Sequence, residues 1–340
     1  MQTRGQQQDH RTPVALAVRT APSRPQALAH FRFGDGGGAH DASVAAPATA
    51  ALELATDQRW LGGDFAAEYW ESAGTVSRGA TDALCWSATD DLLFMSMAVT
   101  NHGDDDPMAA SHDAYEHMLA FARAEGYPWL LRLWNFLPQI NHGEGDQERY
   151  RRFCLGRNLA LEEAGIAESE LCAATAVGTH GERLLIHCLV GRSRGVPIEN
   201  PRQVAAYHYP RLYGPRSPSF ARALGLDLGG EGTGLFVSGT ASIVGHQTIH
   251  PGELMPQLDE TLLNLQALLG EAAEKLHAPG LARFNGDSLL RVYLRVPERW
   301  DEVAARIREC WPEVHLAGLA ADICRHDLEV EIEAFHRADC

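Results

Sequence analysis

The last hundred residues of the sequence predict an α/β (α+β) fold in which mixed sheets are backed by helices. Residues 255–276 carry leucines at helical spacing, and residues 300–311 predict a second helix. The short apolar segments SLLRVYLRV from Ser288 and LEVEIEAF from Leu328 predict strands. The resulting order of helix, strand, helix and strand is typical of a helix-backed mixed sheet.

The preceding elements follow from composition and spacing. Residues 1–13 are polar and are predicted to be disordered, 14–145 form a less regular N-terminal α/β portion, and 146–340 form a C-terminal core. Residues 108–125 predict an amphipathic helix. Further strands are predicted at 83–100, 170–178, 182–191 and 235–247, the last interrupted by Gly239. The short THG linker between 170–178 and 182–191 predicts that these two strands form a hairpin.

A glycine-rich segment, Gly36, Gly37 and Gly38, follows an early strand that begins near Ala29. It lacks the GKS/T ending and the GxGxxG spacing of phosphate-binding loops, and Asp35 would repel a phosphate. The pattern favours a flexible loop.

Composition restricts the class of partner. The chain of 340 residues is 45% hydrophobic and has a formal net charge of −16, which indicates a globular protein and argues against nucleic acid or anionic membranes as partners. Seven cysteines without a CxxC pair indicate a reducing compartment. No apolar run is long enough for a signal peptide or a membrane span. We therefore expect a cytoplasmic monomer or small homo-oligomer.

Two basic and aromatic stretches stand out in this acidic chain. In residues 134–157, Tyr150 and Arg157 are seven apart and would share one face of a helix that begins near Gln147. In residues 206–223, proline and glycine place turns between aromatic and basic side chains, among them Tyr207, Tyr209, Tyr213 and Arg216. Two such stretches suit a small, multiply anionic and partly apolar ligand, because arginine binds carboxylates with fork geometry. Alternatively, Arg157 caps a helix and Arg216 pairs with a surface carboxylate.

The histidines do not predict a metal site. His246 and His250 have the i, i+4 spacing that binds zinc on a helix, but Gly245 and Pro251 make a helix improbable there. His102, His112 and His117 lie near acidic residues 104–106, and a solvated loop is favoured over a metal site. We predict neither a metal nor a cofactor.

Six segments together resemble the chorismatase family, bacterial enzymes that remove pyruvate from chorismate. They are WNFLPQIN from Trp134, ERYRRFCLGR from Glu148, ENPRQVAAYHYPRLYGPRSPSFARA from Glu199, LFVSGTASIVGHQTIHPGE from Leu235, QLDETLLNL from Gln257 and ADICRHDLEVEIE from Ala321. The resemblance covers roughly residues 130 to 335. It implies a core similar to the YjgF/RidA type and to the small chorismate mutases, with most of the active site in residues 146–340.

The resemblance also implies roles for single residues. Tyr150, Arg157, Tyr207, Tyr213 and Arg216 correspond to substrate contacts. Glu331 corresponds to the general acid, and Cys324 to a cysteine of the benzoate-forming members. An inert buried cysteine is the alternative for Cys324.

The spacing of the acidic residues supports a role for Glu331 independently. Alternation places Glu329, Glu331 and Glu333 on one strand face, where burial and like charges would raise the pKa of the most buried carboxyl group. A solvated acidic edge strand is the alternative.

These residues predict an enzyme that removes pyruvate from chorismate to give 3-hydroxybenzoate, 4-hydroxybenzoate or both, in secondary metabolism. Two alternatives stay open. One is hydrolysis of chorismate to a trans-3,4-dihydroxycyclohexa-1,5-diene carboxylate. The other is a non-catalytic YjgF/RidA-like protein that binds small carboxylates.

Overall fold

The computed structural model describes residues 13–22, 27–34, 51–81, 84–99 and 106–338. The predicted disorder of residues 1–12, the glycine-rich loop at Gly36 to Gly38 and the histidine at position 102 lie outside the described residues.

The described elements alternate strands with a few long helices. Up to the middle of the chain they are β1 (Leu16–Arg19), β2 (Ala29–Arg32), β3 (Leu52–Ala55), β4 (Trp60–Gly63), β5 (Ala67–Ser72), β6 (Ser77–Ala80), β7 (Leu84–Ala88), β8 (Leu92–Val99), α1 (Pro107–Ala124), β9 (Trp129–Pro138), α2 (Arg149–Glu163), β10 (Ala173–Thr179) and β11 (Leu184–Gly191). The later elements are β12 (Val196–Ile198), β13 (Ala223–Asp227), β14 (Thr233–Ala241), β15 (Ile243–Val244), β16 (Gln247–Thr248), α3 (Leu254–Lys275), β17 (Leu289–Leu294), α4 (Trp300–Cys310), β18 (His315–Ala320) and β19 (Val330–Ala338).

The strands of the described residues form three larger sheets and one small ribbon. The orders are β1-β5-β2-β3, β10-β9-β11-β8-β7-β6 and β12-β13-β14-β19-β17-β18-β4, with β15 and β16 as the ribbon. Each of the three larger sheets contains one parallel pair among antiparallel ones, namely β2 with β3, β9 with β10 and β17 with β18. The predicted fold of mixed sheets backed by helices is therefore confirmed.

The predicted hairpin between the strands at 170–178 and 182–191 is wrong. β9 lies between β10 and β11, parallel to the first and antiparallel to the second. The chain leaves β9 through the crossover helix α2, which a parallel connection requires, and β11 then pairs with the opposite edge of β9. The predicted boundary at residue 145 falls within this sheet, so hydrogen bonding continues across it.

The helices cover the sheets with apolar faces. In α3 the buried leucines Leu258, Leu262, Leu265 and Leu269 recur every three or four residues and pack on the seven-stranded sheet together with α4. The α1 helix begins at Pro107, where the Asp106 carboxylate accepts a 2.9 Å hydrogen bond from the Met108 backbone nitrogen. None of the described helices is both long and apolar enough to span a membrane.

One glycine sets the distance between α1 and α2. A Cβ atom on Gly156 would overlap the carbonyl oxygen of Met108, so only glycine permits this close approach. The Ser111 hydroxyl, also on α1, donates to the carbonyl of Phe153 at 3.0 Å. The packing fixes the rotation of α2 and thereby the direction of the next side chain along it, Arg157.

Candidate active site

A cavity of about 320 Å³ opens beside α2, within the range of small-molecule sites. Its walls come from α2, β10, the segment 209–222, the end of β14, the loop 324–327 and β19. Every residue that lines it lies between 148 and 331. The lining combines aromatic rings with arginines, as expected for an anionic and partly apolar ligand.

Glu331 lies at the inner wall of the cavity with only 4% of its surface exposed. Burial, followed by the charge of Glu333, raises its pKa to about 8, which confirms the predicted direction. Among the described residues, none forms a hydrogen bond or ion pair with the Glu331 carboxyl group. The group is therefore protonated at neutral pH and available to a ligand.

The solvated acidic edge is excluded by the position of β19, the fourth of seven strands, with β14 and β17 on either side. Glu331 and Glu333 are both buried, whereas Glu329 precedes the strand and is half-buried. The face predicted to carry three carboxylates thus buries two of them.

A β-bulge in β14 makes room for the Glu331 carboxyl group. The register between β14 and β19 shifts between Val237 and Thr240, and Gly239 lies in this interval. A Cβ atom on Gly239 would overlap Oε1 of Glu331. The Gly239 backbone nitrogen donates to Oγ1 of Thr175 at 3.1 Å, which ties the bulge to β10. The sequence showed that Gly239 interrupts the strand, but it did not show that this glycine makes room for the Glu331 carboxyl group.

Arg157 is 2% exposed and projects from the middle of α2 into the cavity wall. The position excludes the helix-capping alternative. Its guanidinium lies 5.5 Å from the Phe153 ring centroid, and its Nε atom has no hydrogen-bond partner. No carboxylate of the described residues pairs with it. A buried cation without a counter-charge is costly, so the site is suited to an anionic ligand.

Two of the predicted tyrosines also line the cavity. Tyr150 is half-buried and lies almost two turns before Arg157 on the same helix, which fits the predicted shared face. Tyr213 lies under the guanidinium of Arg325, 4.0 Å from its ring centroid, and its hydroxyl is 3.2 Å from Nδ1 of His246.

Arg222 is the arginine that the sequence analysis missed. It is 4% exposed, lines the cavity, and donates to the Tyr209 hydroxyl at 2.7 Å and to the Val204 carbonyl at 3.0 Å. Its Nε atom is unpartnered, and its guanidinium forms no ion pair among the described residues. The charge of Glu199 acts on it nevertheless, and the Glu199 carboxylate accepts a hydrogen bond from the Arg222 backbone nitrogen. Its apolar neighbours Phe220, Ala221 and Ala223 were the available signal for burial.

The structure does not bring Tyr207 and Arg216 to this cavity. Both line a separate surface depression on the far side of Tyr209. Arg216 is exposed and pairs with the Glu162 carboxylate at 3.2 Å, which is the alternative considered for it. Proline and serine flank Arg216 in this surface segment, and Arg222 is the arginine of residues 206–223 that lines the cavity.

Cys324 lies in the cavity next to Glu331. Burial, followed by the negative charge of Glu331, raises the pKa of its thiol. A thiol that stays protonated is a poor nucleophile, so the geometry favours a packing or steering role over covalent catalysis.

The histidine pair at 246 and 250 is not helical. His246 lies in the turn between β15 and β16, and His250 has a positive φ of 56° in the next turn. Within the described residues, one group with metal-ligand geometry occurs, His112 with Asp113 and Glu116 on the surface of α1, away from the cavity.

A buried carboxyl group with a raised pKa lies in one cavity with two buried arginines, an arrangement typical of an enzyme pocket for a small anionic ligand. The comparisons agree with this class. A family model described as the N-terminal part of FkbO/Hyg5-like chorismatases matches residues 68–190. A "Chorismatase" of Streptomyces hygroscopicus is 39% identical over 280 residues, 78% of each chain. This chain belongs to the chorismatase family.

One further relative and two solved structures also match this chain. A "3-hydroxybenzoate synthase" of Streptomyces hygroscopicus is 37% identical over 276 residues, 78% of this chain and 80% of that protein. A crystal structure of a chorismatase superposes with a TM-score of 0.81 and 32% identity, covering 96% of this chain and 99% of the other. A YjgF-family protein of Mycobacterium tuberculosis matches 35% of the chain at a TM-score of 0.26.

Proposed function

We propose that this enzyme converts chorismate to pyruvate and a hydroxybenzoate, with Glu331 as the general acid. The observation that carries the proposal is a buried carboxyl group with a pKa of about 8 in a cavity that also holds two buried arginines. The names of the relatives support chorismate as the substrate, and one of them supports 3-hydroxybenzoate as a product to be expected.

The two arginines match the charge of the substrate. Chorismate carries one carboxylate on the ring and one on the enolpyruvyl group, and Arg157 and Arg222 each lack a carboxylate partner of their own among the described residues. Each would form a charge-assisted pair with one substrate carboxylate. The ring would lie against aromatic side chains of the cavity, including Tyr150 and Tyr213.

The reaction needs a proton donor because the enol ether must be protonated at its methylene carbon. The protonated Glu331 supplies this proton, which forms the new methyl group of pyruvate, and the bond between the ring and the ether oxygen can then break. The ring loses a proton and becomes aromatic, so chorismate yields pyruvate and a hydroxybenzoate without consuming water. The hydrolytic alternative consumes one water molecule and gives the dihydroxy-diene acid.

The activity is tested by incubating the purified protein with chorismate, measuring pyruvate with a coupled assay and separating the ring products by chromatography. We expect pyruvate and hydroxybenzoate in equal amounts. Binding of chorismate without pyruvate release would identify the non-catalytic binder, and the dihydroxy-diene acid as the sole ring product would identify the hydrolase.

Cys324→Ala should change the product more than the consumption of chorismate. The thiol lies beside Glu331 in the cavity, where it can favour collapse of the ring intermediate over capture by water. A change of about 1.4 kcal/mol between these barriers alters the ratio tenfold. We expect flux to move from 3-hydroxybenzoate to 4-hydroxybenzoate or the dihydroxy-diene acid, as measured by chromatography.

The matched control is Cys188→Ala, which removes a thiol buried in β11 away from the cavity. An unchanged product ratio in the Cys324 variant, with a rate like that of the control, would make Cys324 a packing residue.

Incubation with EDTA should leave chorismate turnover unchanged. Protonation of an enol ether requires an acid and no Lewis acid. The His112 group lies on the surface of α1, away from the reacting groups. Loss of pyruvate formation that one specific metal restores would contradict this expectation.

A further inference from the structure

Glu333 lies at the centre of a buried charge network directly behind the candidate acid. Its carboxylate accepts from Nη2 of Arg132 at 2.7 Å and from Nε1 of Trp134 at 3.0 Å. Nη1 of Arg291 lies 3.0 Å from its Oε1 atom. The charged side chains are almost completely buried, so solvent screens these interactions very little.

The network is electrically balanced and spans all three larger sheets. Arg291 of β17 also forms two hydrogen bonds with the Glu68 carboxylate of β5, at 2.7 and 2.6 Å. Two arginines and two carboxylates therefore sum to zero charge. The balance explains how four buried charges are tolerated between the sheets, since each has a partner of the opposite sign.

The network reaches the cavity wall through one hydroxyl group. Nη2 of Arg132 donates to Oγ1 of Thr175 at 2.7 Å, and the same oxygen accepts from the Gly239 backbone nitrogen at 3.1 Å. Thr175 and Gly239 line the cavity, and Gly239 lies against the Glu331 carboxyl group. The position of Arg132 thus fixes the bulge that receives the acid.

The charges around Glu331 have opposing effects. Glu333 lies two residues along the same strand face, roughly 7 Å away by strand geometry. Its charge favours the protonated form of Glu331, whereas the guanidinium groups of Arg132 on β9 and Arg222 before β13 favour the ionised form. The cavity around Glu331 also contains Arg157 of α2, Arg325, His326 and Asp327 of the loop before β19, and Glu148 with Arg151 at the start of α2. The Cys324 thiol and the Tyr293 hydroxyl of β17, whose strand position pairs with Glu331, are neutral at pH 7.

We propose that Glu333 and Arg132 are positioning residues for the candidate reaction, which set the charge behind Glu331 and hold the bulge around it. Neither residue lines the cavity, so both act through Glu331. The inference rests on the proposed function, because it assigns a purpose to the protonated state of the general acid.

The test is the pH dependence of kcat/KM for pyruvate release in the full-length enzyme. A general acid with a pKa of about 8 is active while protonated, so the wild-type rate should be level below pH 8 and fall above it. Glu333→Gln removes a negative charge, so the falling limb of this pH profile should move to a pH about one unit lower. Arg132→Gln removes a positive charge and should move it up by a similar amount.

Opposite movements distinguish charge setting from simple structural damage. A structural defect would lower the rate without moving the limb, or would move it in the same direction in both variants, and either result would overturn the inference. If only one variant folds, as judged by circular dichroism and Tm, its limb must still move in the direction predicted for that variant, and a limb that stays at the wild-type pH overturns the inference. Glu333→Asp keeps the charge and should keep the limb within about 0.3 units; a shift of a full unit in this variant would also count against the proposal.

Failure of the inference is separable from failure of the proposed function. If the wild-type protein releases no pyruvate from chorismate, or Glu331→Gln turns over normally, the proposed function fails. If both behave as proposed and the limbs of the Glu333 and Arg132 variants coincide with the wild type, the inference alone fails.

Discussion

Glu331→Gln should retain the fold and chorismate affinity and lose nearly all pyruvate release. The amide has the shape of the protonated acid and fits the space left by Gly239, but it cannot deliver a proton. General acid catalysis is worth roughly 10² to 10⁴-fold, so we expect a fall of this size in kcat with KM little changed. Initial rates from the coupled pyruvate assay, over a range of chorismate concentrations, measure both.

Glu329→Gln is the matched control for this variant. Glu329 precedes β19, is half-buried and does not line the cavity, so the same chemical change there should leave the rate within about twofold of wild type. A Glu331→Gln enzyme within about tenfold of wild type would remove Glu331 from the role of acid. The donor would then have to be sought among the other carboxyl groups that line the cavity, Glu148 and Asp327.

Helices and strands were predictable where the signal is local. The predicted helix at 108–125 is α1 at Pro107–Ala124, and that at 255–276 is α3 at Leu254–Lys275. Hydrophobic spacing encodes these elements because each depends mainly on its own residues. The false hairpin shows the limit of this approach, because strand order depends on pairing between distant segments. β10 and β11 do not pair with each other; each pairs with one edge of β9.

The direction in which the pKa of Glu331 shifts was predictable from the sequence, whereas the residues that surround its carboxyl group were not. Alternation around Glu331 placed it on one face with Glu333, and the raised pKa follows from that face being buried. The central position of β19 depends on strands from distant parts of the chain. The same is true of the partners of Glu333, because Arg132 lies 201 residues before it in sequence and Arg291 belongs to another strand, β17. Spacing along the chain carries no information on contacts of this range.

The sequence did not show which arginine of residues 206–223 lines the cavity. Arg216 was selected because it sits among aromatic residues and turns, a pattern that also describes an exposed loop. Arg222 stands alone in an apolar segment that leads into β13, and such a segment is buried, so the arginine within it is buried too. Burial, rather than nearby aromatic residues, separates a pocket arginine from a surface one.

Arg157→Ala should reduce kcat/KM for chorismate by about tenfold to two hundredfold. The change removes a charge-assisted pair to a substrate carboxylate, worth about 1.5 to 3 kcal/mol, and a tenfold effect corresponds to about 1.4 kcal/mol. Both binding and turnover should suffer, because the same pair holds the enol ether against the Glu331 proton. Arg157→Lys should recover only part of the loss, since an ammonium group lacks the planar fork.

Arg216→Ala is the control that makes the Arg157 result interpretable. It removes the same side chain from an exposed ion pair outside the cavity, and such pairs contribute about 0 to 1 kcal/mol, so turnover should stay near wild type. Arg222→Ala should instead resemble Arg157→Ala, because both guanidinium groups are buried in the cavity wall without a carboxylate among the described residues. Near-native turnover by Arg157→Ala would show that its charge is not balanced by the substrate. A loss in Arg216→Ala equal to that in Arg222→Ala would return the second carboxylate contact to the outer depression.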